Sequence, residues 1–226
     1  IYSDVAGIYT TDPRIHPSAK KLKTVTYDEM LEMASLGAKV LHSRSVEIAK
    51  KFGISLYCAS TFSEEEGSYV TETNIEQPVV SGLSVMENQT QVVIKNLPQD
   101  YTLVQKIFEH AANEGLNVDM ISIISNPSLN ISFTVIEDKR SHMEEALTHL
   151  LKNFEELNIH YQSGYTKISI VGIGMRSSSG VAAGFFRALN NIPVQLVTTS
   201  EIKISCLIEE KYKDEAIKSL TTFFNL

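Results

Sequence analysis

An internal repeat constrains the fold of this 226-residue chain more than any other feature of its sequence. Each copy has a β-branched strand, a helical segment and a second strand. The two strands are separated by the same number of positions in both copies, from Val92 to Val118 and from Ile168 to Val194. A further strand containing Ile-Ser and an amphipathic helix complete each copy. The order β-α-β-β-α, found twice, predicts two ferredoxin-like units.

Apolar periodicity sets the limits of these segments. We predict strands over 91–95, 118–123, 130–136, 168–171, 194–199 and 202–208, and helices over 101–114, 139–156, 180–190 and 211–224. A strand over 159–163 closes the first unit, whereas the second unit reaches Leu226 without a closing strand. The apolar segment 79–85 precedes the first unit, and we expect it to supply that strand and to join the two units into one body.

The first 70 residues have a different, α/β pattern. Thr26 and Glu29 have the spacing of a capping box, in which a hydroxyl and a carboxylate close the first turn of a helix. Met30 and Met33 belong to the apolar face of this helix, and Gly37 is a typical stop. The pattern therefore predicts an amphipathic helix packed on a core.

A second helix is predicted over 43–52, with Ser43 as a candidate N-cap. The apolar run 54–60 that follows predicts a buried strand. The polar segment 72–78 then predicts a linker, and hence a domain boundary.

Composition excludes several classes of function. A net charge of -7 and a pI near 5.4 argue against a nucleic-acid surface, which needs clustered Lys and Arg. An RNA-binding ferredoxin-like domain would also need exposed aromatic residues on its central strands, where the sequence offers only Phe133. No apolar run reaches the roughly 18 residues of a membrane span, and the six histidines have no metal-ligand spacing. Cys58 and Cys206 lie in apolar runs, which favours buried thiols in a reducing, cytoplasmic compartment.

Two motifs in the first part identify a family. Residues 3–14 read Ser-Asp-Val-Ala-Gly-Ile-Tyr-Thr-Thr-Asp-Pro-Arg, and residues 37–42 read Gly-Ala-Lys-Val-Leu-His. Together with the repeat, they resemble the carboxy-terminal half of the aspartate kinases. The resemblance implies the end of an amino-acid kinase α/β sandwich over 1–70, a linker over 71–78, and two ferredoxin-like βαββαβ ACT domains. The first ACT domain would span 89–163, and the second would combine 79–88 with 164–226.

The resemblance also implies a reaction, the transfer of the ATP γ-phosphoryl group, with Mg²⁺, to L-aspartate to give 4-phospho-L-aspartate. This is the first step of lysine, threonine and methionine biosynthesis. The aspartate site and the catalytic lysine of the family belong to a preceding portion, so no catalytic residue is assigned in this chain. Because phosphoryl transfer requires both substrates to be held in line under positive charge, the isolated chain is expected to be inactive.

By the same resemblance, six residues would contact ATP. Their chemistry suits a nucleotide: Asp4 can accept from ribose hydroxyls, Tyr9 offers a planar face, and Arg14 and Lys39 carry charge for phosphates, with Lys39 expected at the start of a helix. The full set is Ser3, Asp4, Tyr9, Arg14, Lys39 and Val40. A structural interpretation stays open, in which 12–14 is only a turn and Lys39 is a solvated residue. No Walker loop is present.

ACT domains bind amino-acid effectors near helix starts, where free amide groups favour a carboxylate. The resemblance carries effector contact onto Leu97, Gln99, Asp100, Thr102, Val104, Asn117, Val118, Asp119, Thr199, Ser200 and Glu201. The glycine-rich turn 172–180 lacks dinucleotide spacing and is a further candidate contact. The turn before the first helix departs from the family pattern, as does Ile123, which stands where the family has Gln.

These departures disfavour threonine, which stays possible, and favour lysine as the effector, because Asp100, Asp119 and Glu201 are available for its second ammonium. The alternative is that Asp119 and Glu201 only cap turns or lie on the surface. We further expect a homodimer formed through 88–119 and its neighbours, with the effector at the interface. The rival function is a non-catalytic amino-acid-sensing or dimerisation module whose first 70 residues are structural.

Overall fold

The computed structural model describes residues 3–72, 78–152, 154 and 157–226. Its elements in chain order are β1 (Thr24–Thr26), α1 (Tyr27–Ser35), α2 (Ser43–Phe52), β2 (Leu56–Cys58), β3 (Ser68–Thr71), β4 (Gly82–Leu97), α3 (Tyr101–Asn113), β5 (Asp119–Ile124), β6 (Leu129–Ile136), α4 (Arg140–Leu151), β7 (Asn158–Val171), α5 (Val181–Leu189), β8 (Val194–Thr199), β9 (Lys203–Glu209) and α6 (Lys213–Phe224). Short 3-10 turns precede α4, α5 and α6. Most of the predicted linker, and the end of the predicted helix over 139–156, lie outside the described residues.

The first part of the chain is an α/β unit with a three-stranded sheet of order β1-β3-β2. β1 is parallel to β3, and β2 is antiparallel to it. The predicted capping box at the start of α1 is confirmed, since Thr26 Oγ1 accepts from Glu29 N and Glu29 Oε2 accepts from Thr26 N. The helix buries Met30 and Met33 in a core shared with Val46 of α2.

Two local predictions were wrong in this part. The N-cap of α2 is His42, whose Nδ1 accepts from Arg44 N at 3.2 Å, and Ser43 is the first helical residue. A neutral imidazole nitrogen can accept a hydrogen bond as a hydroxyl does. The predicted buried strand 54–60 is limited to β2, and its Tyr57 is 53% exposed. Leu56 and Cys58 are on the opposite face from Tyr57 and pack against the core, so only one face of β2 is covered.

The second part of the chain is built on one six-stranded antiparallel sheet of order β5-β6-β4-β7-β9-β8. The predicted strands 79–85 and 91–95 are both within the single strand β4, and 159–163 and 168–171 are both within β7. The first half of β4 pairs with the second half of β7, as Gly82 does with Val171, and the other halves pair likewise. Register shifts between Met86 and Gln91 mark the place where the two halves meet.

Two apolar cores lie along this sheet. The first contains Val92, Ile107 and Phe133 and is closed by α3 and α4. The second contains Ile168 and Phe185 and is closed by α5 and α6. The expected fold class, an α/β part followed by two ferredoxin-like units, is confirmed, whereas the domain limits assigned from the sequence stay a prediction.

The two outer strands of the sheet approach each other, which brings β5 close to β8. A small apolar cluster of Met120, Tyr165 and Leu207 fills the space beneath them. Beside it, Asp119 at the start of β5 pairs with Lys167 of β7. No helix among the described residues has the length and apolar character needed to cross a membrane.

Candidate functional site

A pocket of about 540 Å³ lies where the first part of the chain meets β4, and we call it the loop pocket. It is lined by residues 4–9, 11–15, 37–40 and 83–85 together with Met33. Of the six residues predicted to contact ATP, the structure brings five to this pocket: Asp4, Tyr9, Arg14, Lys39 and Val40. Ser3 is not part of the lining; its hydroxyl accepts from Val5 N, and its carbonyl accepts from Thr61 N.

The two cations of the loop pocket differ in their availability. The Arg14 guanidinium is held by Asp12 through Nε and Nη2, the latter at 2.6 Å from Oδ2. This hydrogen bond lowers the pKa of Asp12 and raises the pKa of Arg14. Lys39 is exposed and has no hydrogen bond or ion pair with the described residues. It lies in the loop between α1 and α2, not at the start of a helix as expected.

Residues 12–14 also form a turn, in which Arg14 N donates to Asp12 Oδ1 at 2.9 Å. A phosphate that used Arg14 would therefore compete with a carboxylate already paired to it. Lys39, by contrast, presents an ammonium that no described carboxylate neutralises. Lys39 is the stronger candidate for a phosphate contact.

Gly7 shapes the backbone that faces the loop pocket. Its φ is +148°, and a Cβ at this position would lie 2.7 Å from Ser68 Oγ. The Ser68 hydroxyl accepts from Ile8 N at 2.8 Å and lies 2.6 Å from the Leu22 carbonyl, to which it donates. Gly7 is therefore required both by its backbone conformation and by the close approach of β3.

One wall of the loop pocket was missed by sequence reasoning, because it comes from the second part of the chain. Leu83, Ser84 and Val85 of β4 line the pocket. Leu83 N donates to the Thr10 carbonyl at 2.7 Å, and Ser84 Oγ donates to the Leu36 carbonyl at 2.9 Å. Only the tertiary fold brings this strand to the pocket, so no local motif could have marked it.

A second cavity, of about 530 Å³, lies beside the start of α5, and we call it the α5 cavity. The predicted effector residues Thr199, Ser200 and Glu201 line it. So do Arg176, Ser178 and Gly180 of the glycine-rich turn, together with Met175, Val181, Ala182 and Ile204. Arg176 Nε lies 3.0 Å from Glu201 Oε2, so opposite charges already meet at the cavity.

The predicted effector residues of the first unit do not form one site within the chain. Leu97 pairs with Leu129 of β6, whereas Asp119 pairs with Thr134 of the same strand. These positions are about 17 Å apart at about 3.4 Å per residue. Leu97, Gln99, Asp100, Thr102 and Val104 are therefore at one end of the unit, and Asn117, Val118 and Asp119 are at the other.

Several of these residues also have structural roles. Leu97 and Val104 are buried in the first core. Asp100 is the N-cap of α3, and its carboxylate accepts from the Thr102 hydroxyl and, at 2.9 Å, from Thr102 N, which together lower the pKa of its carboxyl group. Gln99 Nε2 lies 3.2 Å from the carbonyl oxygens of both Ser125 and Pro127, to which it donates. These four residues thus have structural roles in the chain, and their contact with an effector stays a prediction.

Asp119 is likewise engaged. Its carboxylate accepts from Lys167 Nζ and from Met120 N, and the Lys167 side chain is only 4% exposed. Burial alone would raise the pKa of Asp119, but the hydrogen bond and charge of Lys167 outweigh this effect and hold the pKa below its ordinary value. Asp100, Asp119 and Glu201, the three acids expected to receive an ammonium, all have partners in the chain.

Comparison with known proteins identifies both parts. A model of the amino acid kinase family matches residues 1–60, and a model of the ACT domain matches residues 168–224. All of this chain aligns with the aspartokinase of Helicobacter pylori at 39% identity and with that of a Bacillus species at 43%. A solved structure of aspartokinase alpha and beta subunits is 35% identical, with a TM-score of 0.60, over 65% of this chain and 99% of the matched chain. The chain belongs to the aspartate kinase family.

The chain spans 58% of the Helicobacter aspartokinase and 56% of the Bacillus aspartokinase. Two structures of Escherichia coli aspartokinase III share the fold at 21% and 22% identity, with TM-scores of 0.84 and 0.81. They match 100% and 98% of this chain and 52% and 50% of theirs. One is a complex with aspartate and ADP, and the other is a complex with lysine and aspartate. This aspartate kinase chain therefore has the fold of about half of each of these longer chains.

Proposed function

We propose that this chain is the nucleotide-binding and regulatory part of an enzyme that phosphorylates L-aspartate to 4-phospho-L-aspartate with ATP. The observation that carries the proposal is the convergence of Asp4, Tyr9, Arg14, Lys39 and Val40 on the loop pocket. Asp4 is suited to the ribose hydroxyls, the Tyr9 ring to the base, and Lys39 to a phosphate. A relative with this fold is known in complex with aspartate and ADP.

Mg²⁺ is proposed to accompany ATP. The acidic side chains of the loop pocket are Asp4 and Asp12, and Asp12 is already held by Arg14. Most of the ligands of the ion would therefore come from the nucleotide phosphates and water, which Mg²⁺ tolerates because it dehydrates reluctantly. The proposed location is the cytoplasm, which the two free thiols Cys58 and Cys206 support.

Nucleotide binding tests the proposal. Titration calorimetry with MgADP should detect binding to the chain, and Lys39→Ala should weaken it by at least about tenfold, because a charge-assisted contact contributes about 1.5–3 kcal/mol. Lys23→Ala is the matched control, since Lys23 is exposed outside the loop pocket. Equal affinity of the two variants would reject Lys39 as a phosphate ligand, and absence of binding would favour the sensing module. With aspartate and ATP, the isolated chain should release no ADP.

The regulatory proposal is feedback control by an end-product amino acid, with lysine favoured, at a site that includes Thr199, Ser200 and Glu201. The α5 cavity supports it, because these residues face Arg176 and the start of α5 there. The ammonium of a ligand would have to replace Arg176 as the partner of Glu201. The carboxylate of the same ligand could then pair with Arg176. A related aspartokinase is known in complex with lysine.

Thermal-shift titrations with lysine, threonine and methionine separately test the identity of the effector. A ligand at a hundred times its Kd stabilises the folded state by about 2.7 kcal/mol. Glu201→Gln should abolish a shift produced by lysine, and Glu145→Gln, on the exposed face of α4, should not. A lysine shift unchanged in Glu201→Gln would place the effector elsewhere.

A homodimer through the first ferredoxin-like unit is also proposed. β5 is one of the two outer strands of the sheet and carries Ile121, Ile123 and Ile124, which are 42–60% exposed. A second copy paired along this edge would hydrogen-bond the free backbone groups of β5 and extend the surface against which these side chains can pack, and it could bring the two separated groups of effector residues together across the interface. Sedimentation should show a dimer, and Ile123→Lys should shift it towards monomer.

A further inference from the structure

Glu29 is a buried carboxylate that joins three segments of the fold. Its side chain belongs to α1, and only 1% of the residue is exposed. Its two oxygens serve different segments: Oε2 accepts from Thr26 N at 3.1 Å and from Thr26 Oγ1 at 2.8 Å, within the capping box. Oε1 accepts from Ser81 Oγ at 2.6 Å and from Ile173 N at 3.1 Å, in the second part of the chain.

The capping box accounts for only one of these oxygens. A helix N-cap needs a reciprocal bond between Thr26 and Glu29, which Oε2 supplies. A buried carboxylate is costly unless its oxygens receive hydrogen bonds, and for Oε1 the donors come from residues 52 and 144 positions away. Oε1 therefore fixes the position of α1 relative to the segments that enter β4 and leave β7.

The two sides of this Glu29 bridge, α1 and the turn that begins at Ile173, each lead to one of the two candidate sites. On the first side, Met33, one helical turn after Glu29, lines the loop pocket, as does the loop 37–40 that follows α1. On the second side, Ile173 begins the 3-10 turn Ile173–Arg176, and Met175 and Arg176 line the α5 cavity. Glu29 is thus one hydrogen bond from a turn of the α5 cavity and one helical turn from the loop pocket.

The packing around this bridge leaves little space for the segments to move separately. A Cβ on Gly172 would lie 2.3 Å from the Val79 carbonyl oxygen, and one on Gly174 would lie 2.8 Å from Val79 Cα. Val171, at the end of β7, is buried in the core of the first part. A displacement of the 3-10 turn must therefore be passed on to Glu29 and the start of β4, since closely packed interiors shift between discrete arrangements.

We infer that Glu29 is a positioning residue that couples the α5 cavity to the loop pocket, so that a change at the 3-10 turn alters the loop 37–40. The inference rests on the proposed function for the identity of the ligands at the two sites. The physical coupling can be measured without either ligand. It predicts that mutations at the α5 cavity and at the loop pocket have additive effects only when Glu29 has been replaced.

The first experiment measures amide hydrogen exchange in the ligand-free chain. The readout is exchange at Gly37 and Ala38, whose amides donate to the carbonyls of Ala34 and Met33. Met175→Ala, at the α5 cavity, should raise these rates by at least about fivefold in the wild-type background. In Glu29→Gln, which keeps the size of the side chain but not its charge, Met175→Ala should change them by less than twofold.

Thr26→Ala is the matched control, because it weakens the capping box while leaving Ser81 and Ile173 bonded to Oε1. The response to Met175→Ala should persist in Thr26→Ala and be reduced in Ser81→Ala, which removes one of the two bonds to Oε1 and also serves if Glu29→Gln does not fold. No response in the wild-type background would overturn the inference. So would loss of the response in Thr26→Ala, because the stability of α1 in general would then carry the effect.

A second experiment separates this inference from the proposed function. Where both ligands bind, saturating L-lysine should change the Kd of MgADP by at least about fivefold in the wild type and by less than twofold in Glu29→Gln, with each ligand still binding alone. If MgADP or L-lysine does not bind the wild type, the proposed function fails, and the exchange experiment still decides the role of Glu29. Binding of both ligands with no mutual effect in the wild type would overturn the inference.

Discussion

Individual side chains at the candidate sites are mostly engaged by the chain itself. Asp12 holds Arg14, Arg176 holds Glu201, and Lys167 holds Asp119. A charged ligand must therefore exchange one partner for another, and its affinity reflects the difference between two pairings. Of the two cations that line the loop pocket, Lys39 has no partner among the described residues, which is why its replacement gives the sharpest test of nucleotide binding.

At Gly7 the prediction concerns the backbone. Gly7→Ala should lower the free energy of unfolding by roughly 1–3 kcal/mol, because φ is +148° and the added methyl group would meet Ser68 Oγ. Gly53→Ala is the control: its φ is +63° and a Cβ there meets nothing within 4 Å, so it should cost only about 1 kcal/mol. Urea unfolding measures both, and equal losses would show that the contact with Ser68 contributes nothing.

Among the elements, β5 has an unusual attachment. It is hydrogen-bonded only to β6 in the described sheet, and the ion pair of Asp119 with the buried Lys167 adds a tie to β7. Asp119→Asn should destabilise the chain by roughly 1–3 kcal/mol, because it leaves a buried ammonium without its carboxylate. Adding Lys167→Met should recover part of the loss, since no charge then has to be buried.

This tie also predicts a pH dependence. The folded state lowers the pKa of Asp119. The stability that its ion pair with Lys167 contributes is therefore fully present above the unfolded pKa of about 3.9 and is lost as the pH falls through the folded pKa. Urea unfolding from pH 7 down to pH 3 should therefore show a larger loss of stability for the wild type than for Asp119→Asn. Parallel curves would contradict this contribution.

Elements with strong local signals were predictable from the sequence. α1 begins at its predicted capping box, and α2, predicted over 43–52, spans Ser43–Phe52. The continuity of β4 and β7 was not predictable, because the polar residues between their halves resemble a boundary when read locally. Strand pairing over long distances decides that these residues stay extended.

The candidate sites divide in the same way. The residues of the loop pocket that come from the first part were identified by their motif, and the structure brings five of the six together. The wall supplied by Leu83, Ser84 and Val85 depends on tertiary packing and has no local signal. Burial of Leu97 and Val104, and the distance between Leu97 and Asp119, likewise become visible only when register across β6 is known.

For the molecule as a whole, we expect the two ferredoxin-like units to unfold together, because β4 and β7 contribute to both cores. Phe133→Ala in the first core should cost about 3–5 kcal/mol. Hydrogen exchange should show that amides of β9, in the second core, lose protection by the same free energy. Phe62→Ala, at a side chain that is 85% exposed, is the control. Unchanged protection of β9 would show that the units open separately.

The passage of β4 and β7 through both units limits how the chain can be divided. The ACT-domain match covers 168–224, yet the strand that covers one side of β7 in that region begins at Gly82. A polypeptide cut to 168–224 would expose a row of unpaired amide and carbonyl groups along β7, which is a template for aggregation. The two units are therefore interlaced, and recombination or truncation that respects the apparent repeat would break the sheet that both units share.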